Sequence, residues 1–135
     1  MVAGEDEIAE RFGQCGARLG IAFQLADDLK DIVDFDSGKD DFADIRNGNP
    51  SFPIISAVDS DAAIGDLLRQ HWEHGEQGCP AQEIARAVLE TGALSEARRL
   101  VRREVDGALD ALGAHAEQPG GRHIADWAAQ LCEAI

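Results

Sequence analysis

The apolar residues of this chain recur with a helical period over almost its whole length. Over residues 5–35 they return at steps of three and four, the spacing of one helix face; they are Ile8, Phe12, Cys15, Leu19, Phe23, Ala26 and Val33. Residues 34–53 break this pattern, because they are acidic and contain two glycines and two prolines. We therefore predict one long helix followed by a loop.

Shorter helices are predicted for the remainder of the chain. The segments are a helix beginning at residues 54–58, one capped by Asp61 and leading to Trp72, a linker over 73–80, and helices at 80–90, 95–115 and 123–134. His71 and His74 have no convincing metal partner, so both are predicted to be exposed. The pattern predicts an all-α fold, a helical bundle in a single domain over residues 1–135.

Three carboxylates at the end of the long predicted helix carry the candidate chemistry. Asp27, Asp28 and Asp31 share a helix face with Gln24, within an arc of roughly 100°. Like charges so close on a helix are destabilising, and Mg²⁺ relieves this because it takes oxygen ligands from one or two carboxylates, waters and substrate phosphates. The segment is therefore either a Mg²⁺–diphosphate site or a solvated acidic face.

The residues around these carboxylates resemble a known family. Residues 20–31 contain Phe-Gln followed by Asp-Asp-x-x-Asp, and residues 38–53 follow the order of a Gly-Lys-Pro-x-Gly-x-Asp-Leu-x-x-Gly-Lys-x-Thr-x-Pro loop. This combination resembles the second aspartate-rich motif of trans-isoprenyl diphosphate synthases, or polyprenyl synthetases. Residues 89–97 resemble a later helix start of that family, so nearly the whole chain is similar to its C-terminal part.

The resemblance implies an isoprenoid-synthase-type helical fold and head-to-tail prenyl transfer. In that family, Mg²⁺ draws diphosphate from an allylic diphosphate, and the double bond of isopentenyl diphosphate attacks the resulting cation. Asp27, Asp28 and Asp31 would then bind Mg²⁺, and Gln24 and Lys39 would contact diphosphate. Asp27, Asp28 and Lys39 would be catalytic, the lysine adding positive charge at the leaving group. Phe23 would pack beneath the site.

Several positions depart from the family pattern: Lys30 inside the motif, and Asp40, Phe42, Asn49 and Ser51 in the loop. Asn49 replaces a lysine that in the family helps to hold the allylic diphosphate. Nothing in the chain matches the first aspartate-rich motif of the family. We expect an incomplete site that needs a complementing N-terminal half or partner, in a homodimer or heteromer. A non-catalytic or regulatory subunit of a prenyl synthase and a fragment of a longer enzyme remain open.

Composition excludes several other classes. A formal net charge of -14 argues against nucleic acid, because phosphates would be repelled. No apolar run approaches the length of a membrane span, and no signal peptide is recognisable. The three cysteines are scattered without metal-site spacing, which is typical of reduced thiols and indicates a cytoplasmic protein.

Overall fold

The computed structural model describes residues 3–33 and 42–135. Within these ranges the chain is helical and contains no strand, so the all-α prediction is confirmed. The α-helices are α1 (Ala3–Val33), α2 (Ala43–Asn47), α3 (Phe52–Ser60), α4 (Ala62–His74), α5 (Ala81–Glu90), α6 (Ala93–Leu112) and α7 (Pro119–Glu133), with short 3₁₀ helices at Gly75–Gln77 and Gly113–Glu117.

Helix α1 is the long helix that the apolar period predicts. It contains residues 5–33 of the predicted helix and begins two residues earlier, and predicted residues 34 and 35 lie outside the described residues. Three glycines lie along it at steps of three and four, and a Cβ atom added to any of them would meet nothing within 4 Å; they are Gly13, Gly16 and Gly20. Close approach of another helix or a substrate to these glycines stays a prediction.

The contacts of the chain group its residues into two compact units, Met1–Ala26 with Arg98–Ile135, and Asp27–Ala97. The boundaries fall inside α1 and α6, so each of these helices contributes to both units. One cluster in the core of the first unit is formed by the buried side chains of Cys15, Ala108 and Leu112. Partly buried apolar residues of α1, α6, α7 and the second 3₁₀ helix pack around this core.

The unit Asp27–Ala97 is built on α3, α4 and α5 together with the last turns of α1. Its fully buried large side chains include Leu29, Ile32, Ile45, Ile64, Ile84 and Val88. Asp61 caps α4 as predicted, because its Oδ1 accepts the N–H of Ala63 at 3.0 Å. This apolar interior gives the candidate carboxylates at the end of α1 a fixed support.

Two predictions about local structure are wrong. Residues 34–53 were expected to form a loop; residues 34–41 lie outside the described residues, and in the described part, 42–53, α2 is present and α3 begins at Phe52. His71 was expected to be exposed, but it is buried, and its Nδ1 lies 2.8 Å from the carbonyl oxygen of Cys79. His74 is exposed, as predicted. His71 is buried because the turn after α4 brings the backbone of Cys79 within hydrogen-bonding distance of its ring.

Among the described helices, none is both long enough and apolar enough to cross a membrane.

Candidate functional site

The three aspartates lie on the last turns of α1, within the unit Asp27–Ala97. Asp27 is exposed, and Asp28 and Asp31 are partly buried. Leu29 and Ile32 between and beside them are only 2% and 0% exposed. The predicted division of this segment into an apolar and an acidic side is therefore present in the structure. Gln24, one turn before Asp28 on the same helix, is exposed.

Asp31 binds the N-terminus of α2. Its Oδ1 accepts the backbone N–H of Ala43 at 3.0 Å, and its Oδ2 accepts that of Asp44 at 3.2 Å. Phe42, the residue at the capping position itself, supplies no side-chain hydrogen bond. The first N–H groups of a helix have no partner inside it, so a carboxylate from outside satisfies them and favours the positive end of the helix dipole.

Asp28 binds the N-terminus of α3 in a similar way. Its Oδ2 accepts the N–H of Phe52, the first residue of that helix, at 3.1 Å. Ser51 occupies the usual capping position, yet its side chain makes no capping hydrogen bond. The Ser51 Oγ is buried and has no hydrogen-bond partner among the described residues. Two of the three motif aspartates therefore bind the beginnings of the helices that follow the motif.

The other end of α2 is held by Trp72. The indole Nε1 of Trp72 donates to the carbonyl oxygen of Ile45 at 2.8 Å, and the Ile45 side chain is fully buried. Gly48 ends the helix in the left-handed conformation, with φ of 70°. A helix of five residues is too short to be stable by itself in water. Its presence therefore depends on these contacts with the rest of the unit.

Asp44, at the start of α2, adds a fourth carboxylate to this region. Partial burial and the negative charges of Asp31, Asp28 and Asp27 raise its pKa, and a hydrogen bond from Asn49 opposes that rise. The Asn49 Nδ2 donates to the Asp44 Oδ1 at 3.2 Å. Asp44 was missing from the sequence-predicted site, although its place in the Asp-Leu step of the resembled loop is a signal that could have identified it.

The donor chemistry of this cluster fits a hard divalent cation. The described residues contain no group of three or more His, Cys, Asp or Glu side chains already arranged around a common centre. Mg²⁺ needs fewer, because one or two carboxylates commonly suffice when waters and phosphates complete the shell. Asp27 accepts no hydrogen bond from the described residues, and a carboxylate such as that of Asp28 offers about four lone-pair positions. Asp31 fits less well, because each of its oxygens already accepts one N–H of α2, which leaves fewer lone pairs for a cation.

Lys39 and Phe23 are the two other residues of the predicted site. Lys39 lies outside the described residues. Phe23 was predicted to be buried, but its side chain is 52% exposed, and its ring stacks on that of Trp127 with centroids 6.3 Å apart. The prediction of burial is wrong because Phe23 lies at the edge of the apolar face of α1, about 80° from the centre of that face.

Two grooves flank α3 in the same unit. One of about 490 Å³ has a polar lining, with Ser56, Asp59, Thr91 and Glu96 among its residues. The other, of about 340 Å³, is mainly apolar and is lined by Pro50, Ile54, Ile55, Val58, Leu68 and Trp72 among others. No motif aspartate lines either groove. Both grooves nevertheless border the carboxylate cluster, because Phe52, which binds Asp28, lines the first and Asn49, which binds Asp44, lines the second.

Comparison with known proteins gives a consistent result. The family model described as polyprenyl synthetase matches residues 1–89. The chain is 32% identical over 115 residues to the all-trans-nonaprenyl-diphosphate synthase (geranyl-diphosphate specific) of Rhodobacter capsulatus, covering 83% of this chain and 35% of that one. It is 30% identical over 119 residues to the octaprenyl diphosphate synthase of Haemophilus influenzae, with coverage of 83% and 35%.

A plant relative extends this result. The chain is 28% identical over 107 residues to the chloroplastic solanesyl diphosphate synthase 1 of Arabidopsis thaliana, covering 78% of this chain and 26% of that one. The chain thus spans about a quarter to a third of the length of the curated relatives it matches. No solved structure gives a significant match.

Proposed function

Because the chain belongs to the polyprenyl synthetase family, we propose that it supplies the second aspartate-rich part of a prenyltransferase site. The reaction is the condensation of isopentenyl diphosphate with an allylic diphosphate. The observation that carries the proposal is the acidic cluster at the end of α1, where partial burial and the charges of Asp31, Asp28 and Asp27 raise the pKa of Asp44. So much negative charge in one place suits cations that bridge an acidic protein to an anionic substrate.

Each residue has a distinct part in this proposal. Asp27 and Asp28 hold Mg²⁺, which when bound supplies a Lewis acid for the departing diphosphate. Gln24 donates its side-chain N–H to a diphosphate oxygen, and Lys39 adds a positive charge beside it. Asp31, as the third aspartate of the motif, completes the acidic face to which the metal is attracted. These residues bind and orient the diphosphate so that charge separation in the transition state is stabilised.

A complementing part of the site is also proposed. An allylic cation must be shielded from water by apolar walls, and neither groove beside α3 is lined by the motif aspartates. The exposed glycines of α1 leave room for another helix along that side. We expect the N-terminal half of a synthase, carrying the first aspartate-rich motif, to supply these walls and the site for isopentenyl diphosphate.

The test is turnover in a reconstituted pair. The chain is mixed with a separately produced N-terminal half of the Rhodobacter capsulatus relative, Mg²⁺, an allylic diphosphate and radiolabelled isopentenyl diphosphate. We expect labelled prenyl product, and a decrease of about a hundredfold or more for Asp27→Ala, since loss of residues that merely support metal ligands already costs 10- to about 100-fold. Asp126→Ala, an exposed carboxylate on α7, is the matched control. Unchanged turnover in Asp27→Ala would contradict the assigned role.

The hydrogen bond between Asn49 and Asp44 favours a second function, that of a non-catalytic subunit. Where the resembled loop has a lysine for the diphosphate, this chain has an amide that binds a neighbouring carboxylate at 3.2 Å. A regulatory subunit needs the fold but not that charge. Asn49→Lys discriminates between the two functions: it should increase turnover in the reconstituted pair of an enzyme. It should leave a catalytically silent pair silent.

Assembly with another chain is part of the same proposal. Four large apolar side chains of the unit Met1–Ala26 with Arg98–Ile135 are between 41% and 52% exposed: Ile8, Ile21, Phe23 and Trp127. Exposed apolar groups of this size are often covered by a partner. We expect a homodimer or a heteromer with a longer synthase, which sedimentation velocity can measure. A compact monomer at all accessible concentrations, alone and with the longer synthase, would refute this.

A further inference from the structure

We infer that Asp31 is a positioning residue of this site, which fixes α2 and the carboxylate of Asp44 through backbone hydrogen bonds, and that it is not a metal ligand. The inference rests on the proposed function for its relevance to catalysis. Its structural basis is the pair of hydrogen bonds from Ala43 and Asp44 to the two carboxylate oxygens of Asp31.

The geometry of Asp31 is that of a helix cap supplied from a distance. Each of its two oxygens accepts a different N–H, at 3.0 and 3.2 Å, from residues 12 and 13 positions later in the chain. Charged acceptors form the stronger class of hydrogen bonds to backbone N–H groups. A cation bound directly by Asp31 would compete with both donors, because the metal and the N–H hydrogens are both positively charged.

Helix α2 needs this cap more than a longer helix would. It has five residues, and Phe42 before it supplies no capping side chain. Ile45 is its one fully buried side chain, and Trp72 holds its C-terminal end. The position of this short helix therefore depends on the Asp31 carboxylate together with these contacts and with the ion pair between Arg46 and Glu76, at 3.7 Å.

The position of α2 determines where the charge of Asp44 lies. The side chain of Asp44 is repelled by Asp27, Asp28 and Asp31, so it would move away from them if nothing held it. Asp31 repels that side chain but binds the backbone N–H of the same residue at 3.2 Å. The backbone bond thus keeps a fourth carboxylate beside Asp27 and Asp28, where it adds to the attraction for a cation.

Asp27 is the natural reference for this role. It is exposed and accepts no hydrogen bond from the described residues, so none of these residues competes with a metal for its oxygens. Substitutions at Asp27 and Asp31 should therefore differ in kind. The first should weaken cation binding and leave α2 in place, whereas the second should loosen α2 even when no metal is present.

The experiment measures amide hydrogen exchange by NMR in metal-free protein, and Mn²⁺ binding in parallel by the relaxation of water protons. In Asp31→Ala we expect the Ala43 and Asp44 amides to exchange about tenfold faster or more. In Asp31→Asn one carbonyl oxygen remains, and Asn caps helices about as well as Asp, so one of the two amides should stay protected. Asp27→Ala and Asp27→Asn should leave both amides unchanged.

Mn²⁺ affinity distinguishes a positioning residue from a metal ligand. Asp31→Asn should retain the affinity if Asp31 positions α2, but should lose it if Asp31 binds the metal. We expect Asp31→Asn to bind Mn²⁺ within about threefold of wild type and Asp31→Ala about tenfold more weakly, whereas Asp27→Asn and Asp27→Ala are both weakened by about a hundredfold. Equal losses in Asp31→Asn and Asp31→Ala, with unchanged amide exchange, would show that Asp31 is a ligand and overturn the inference.

The amide-exchange and Mn²⁺-binding measurements also distinguish failure of this inference from failure of the proposed function. If wild type binds no Mn²⁺, the proposed metal site is refuted, while fast exchange in Asp31→Ala still supports the capping role. If the amides of Ala43 and Asp44 exchange equally in wild type and Asp31→Ala, with native circular dichroism in both, the capping role is refuted. Asp31→Asn gives the same decision if Asp31→Ala does not fold.

Discussion

Substitution of Trp72 by phenylalanine should loosen α2 and lower the stability of the unit that contains it. The change removes the indole N–H that donates to the Ile45 carbonyl at 2.8 Å. It also removes the indole edge beside Gly48, where a Cβ atom added to the glycine would lie 3.7 to 3.8 Å from the ring. A hydrogen bond of this kind contributes about 0.5–1.5 kcal/mol net. The Ile45 carbonyl also accepts a long bond from the Gly48 N–H, at 3.4 Å, so it is not left bare. We therefore expect a loss of about 1 kcal/mol.

Substitution of Trp72 by alanine should lower the stability further, because buried apolar surface is lost together with the hydrogen bond. Aromatic side chains bury about 150–250 Å² when packed, and Trp72 is 52% exposed, so roughly 100 Å² of apolar surface returns to water. At about 25 cal/mol per Å² this adds about 2.5 kcal/mol to the lost hydrogen bond. Trp72→Ala should therefore be about 3.5 kcal/mol less stable than wild type.

Urea unfolding followed by circular dichroism measures the stability, and amide exchange at Arg46 and Gly48 locates the effect. Trp127→Phe is the matched control, since Trp127 is also about half exposed, at 43%, but stacks on Phe23 in the other unit. It should leave exchange in α2 unchanged. If Trp72→Phe has wild-type stability and its α2 amides remain equally protected, the bond to Ile45 does not hold this helix.

Three further outcomes are expected. In metal-free protein, Asp44→Asn should raise stability by about 1 kcal/mol at neutral pH, because it removes a partly buried charge and its repulsion by Asp31, Asp28 and Asp27. These effects raise the folded-state pKa of Asp44, so the gain should shrink as the pH falls through that pKa and both forms become neutral, which thermal unfolding against pH can measure. Gly78→Ala should cost about 1–3 kcal/mol, because its new Cβ would collide with the backbone of Gln70, and calorimetry should show a lower Tm. Burial raises the pKa of the cysteine thiols, so native protein should react slowly with iodoacetamide. Mass spectrometry should show that the partly exposed Cys132 reacts first and the buried Cys79 much later. Equal rates at the two cysteines would contradict the burial.

The hydrophobic period was sufficient to predict α1 and the acidic side of its last turns. Both follow from residues within the same few turns, where side-chain direction is set by helix geometry alone. Asp61 as a cap followed from equally local chemistry. For such features the sequence neighbourhood contains all the interacting groups, so the pattern and the structure agree.

Helix α2 and the caps of α2 and α3 could not be predicted in this way. The bonds that hold them join residues far apart in the chain: Asp31 to Ala43, Asp28 to Phe52 over 24 positions, and Trp72 to Ile45 over 27. Ser51 directly precedes α3 but makes no capping hydrogen bond, and the distant Asp28 accepts the N–H of Phe52 instead. The burial of His71 likewise depends on the turn at Cys79, which no local pattern specifies.

The binding of two helix beginnings by Asp28 and Asp31 has a consequence for comparing related sequences. In a descendant that had lost all chemistry, both aspartates would still stabilise the fold as caps, so selection for stability alone would favour their retention. Their presence therefore cannot distinguish an active chain from a silent one. Asp27, which accepts no hydrogen bond from the described residues, would be free to drift in a silent lineage, and its retention or loss is the informative marker of catalysis.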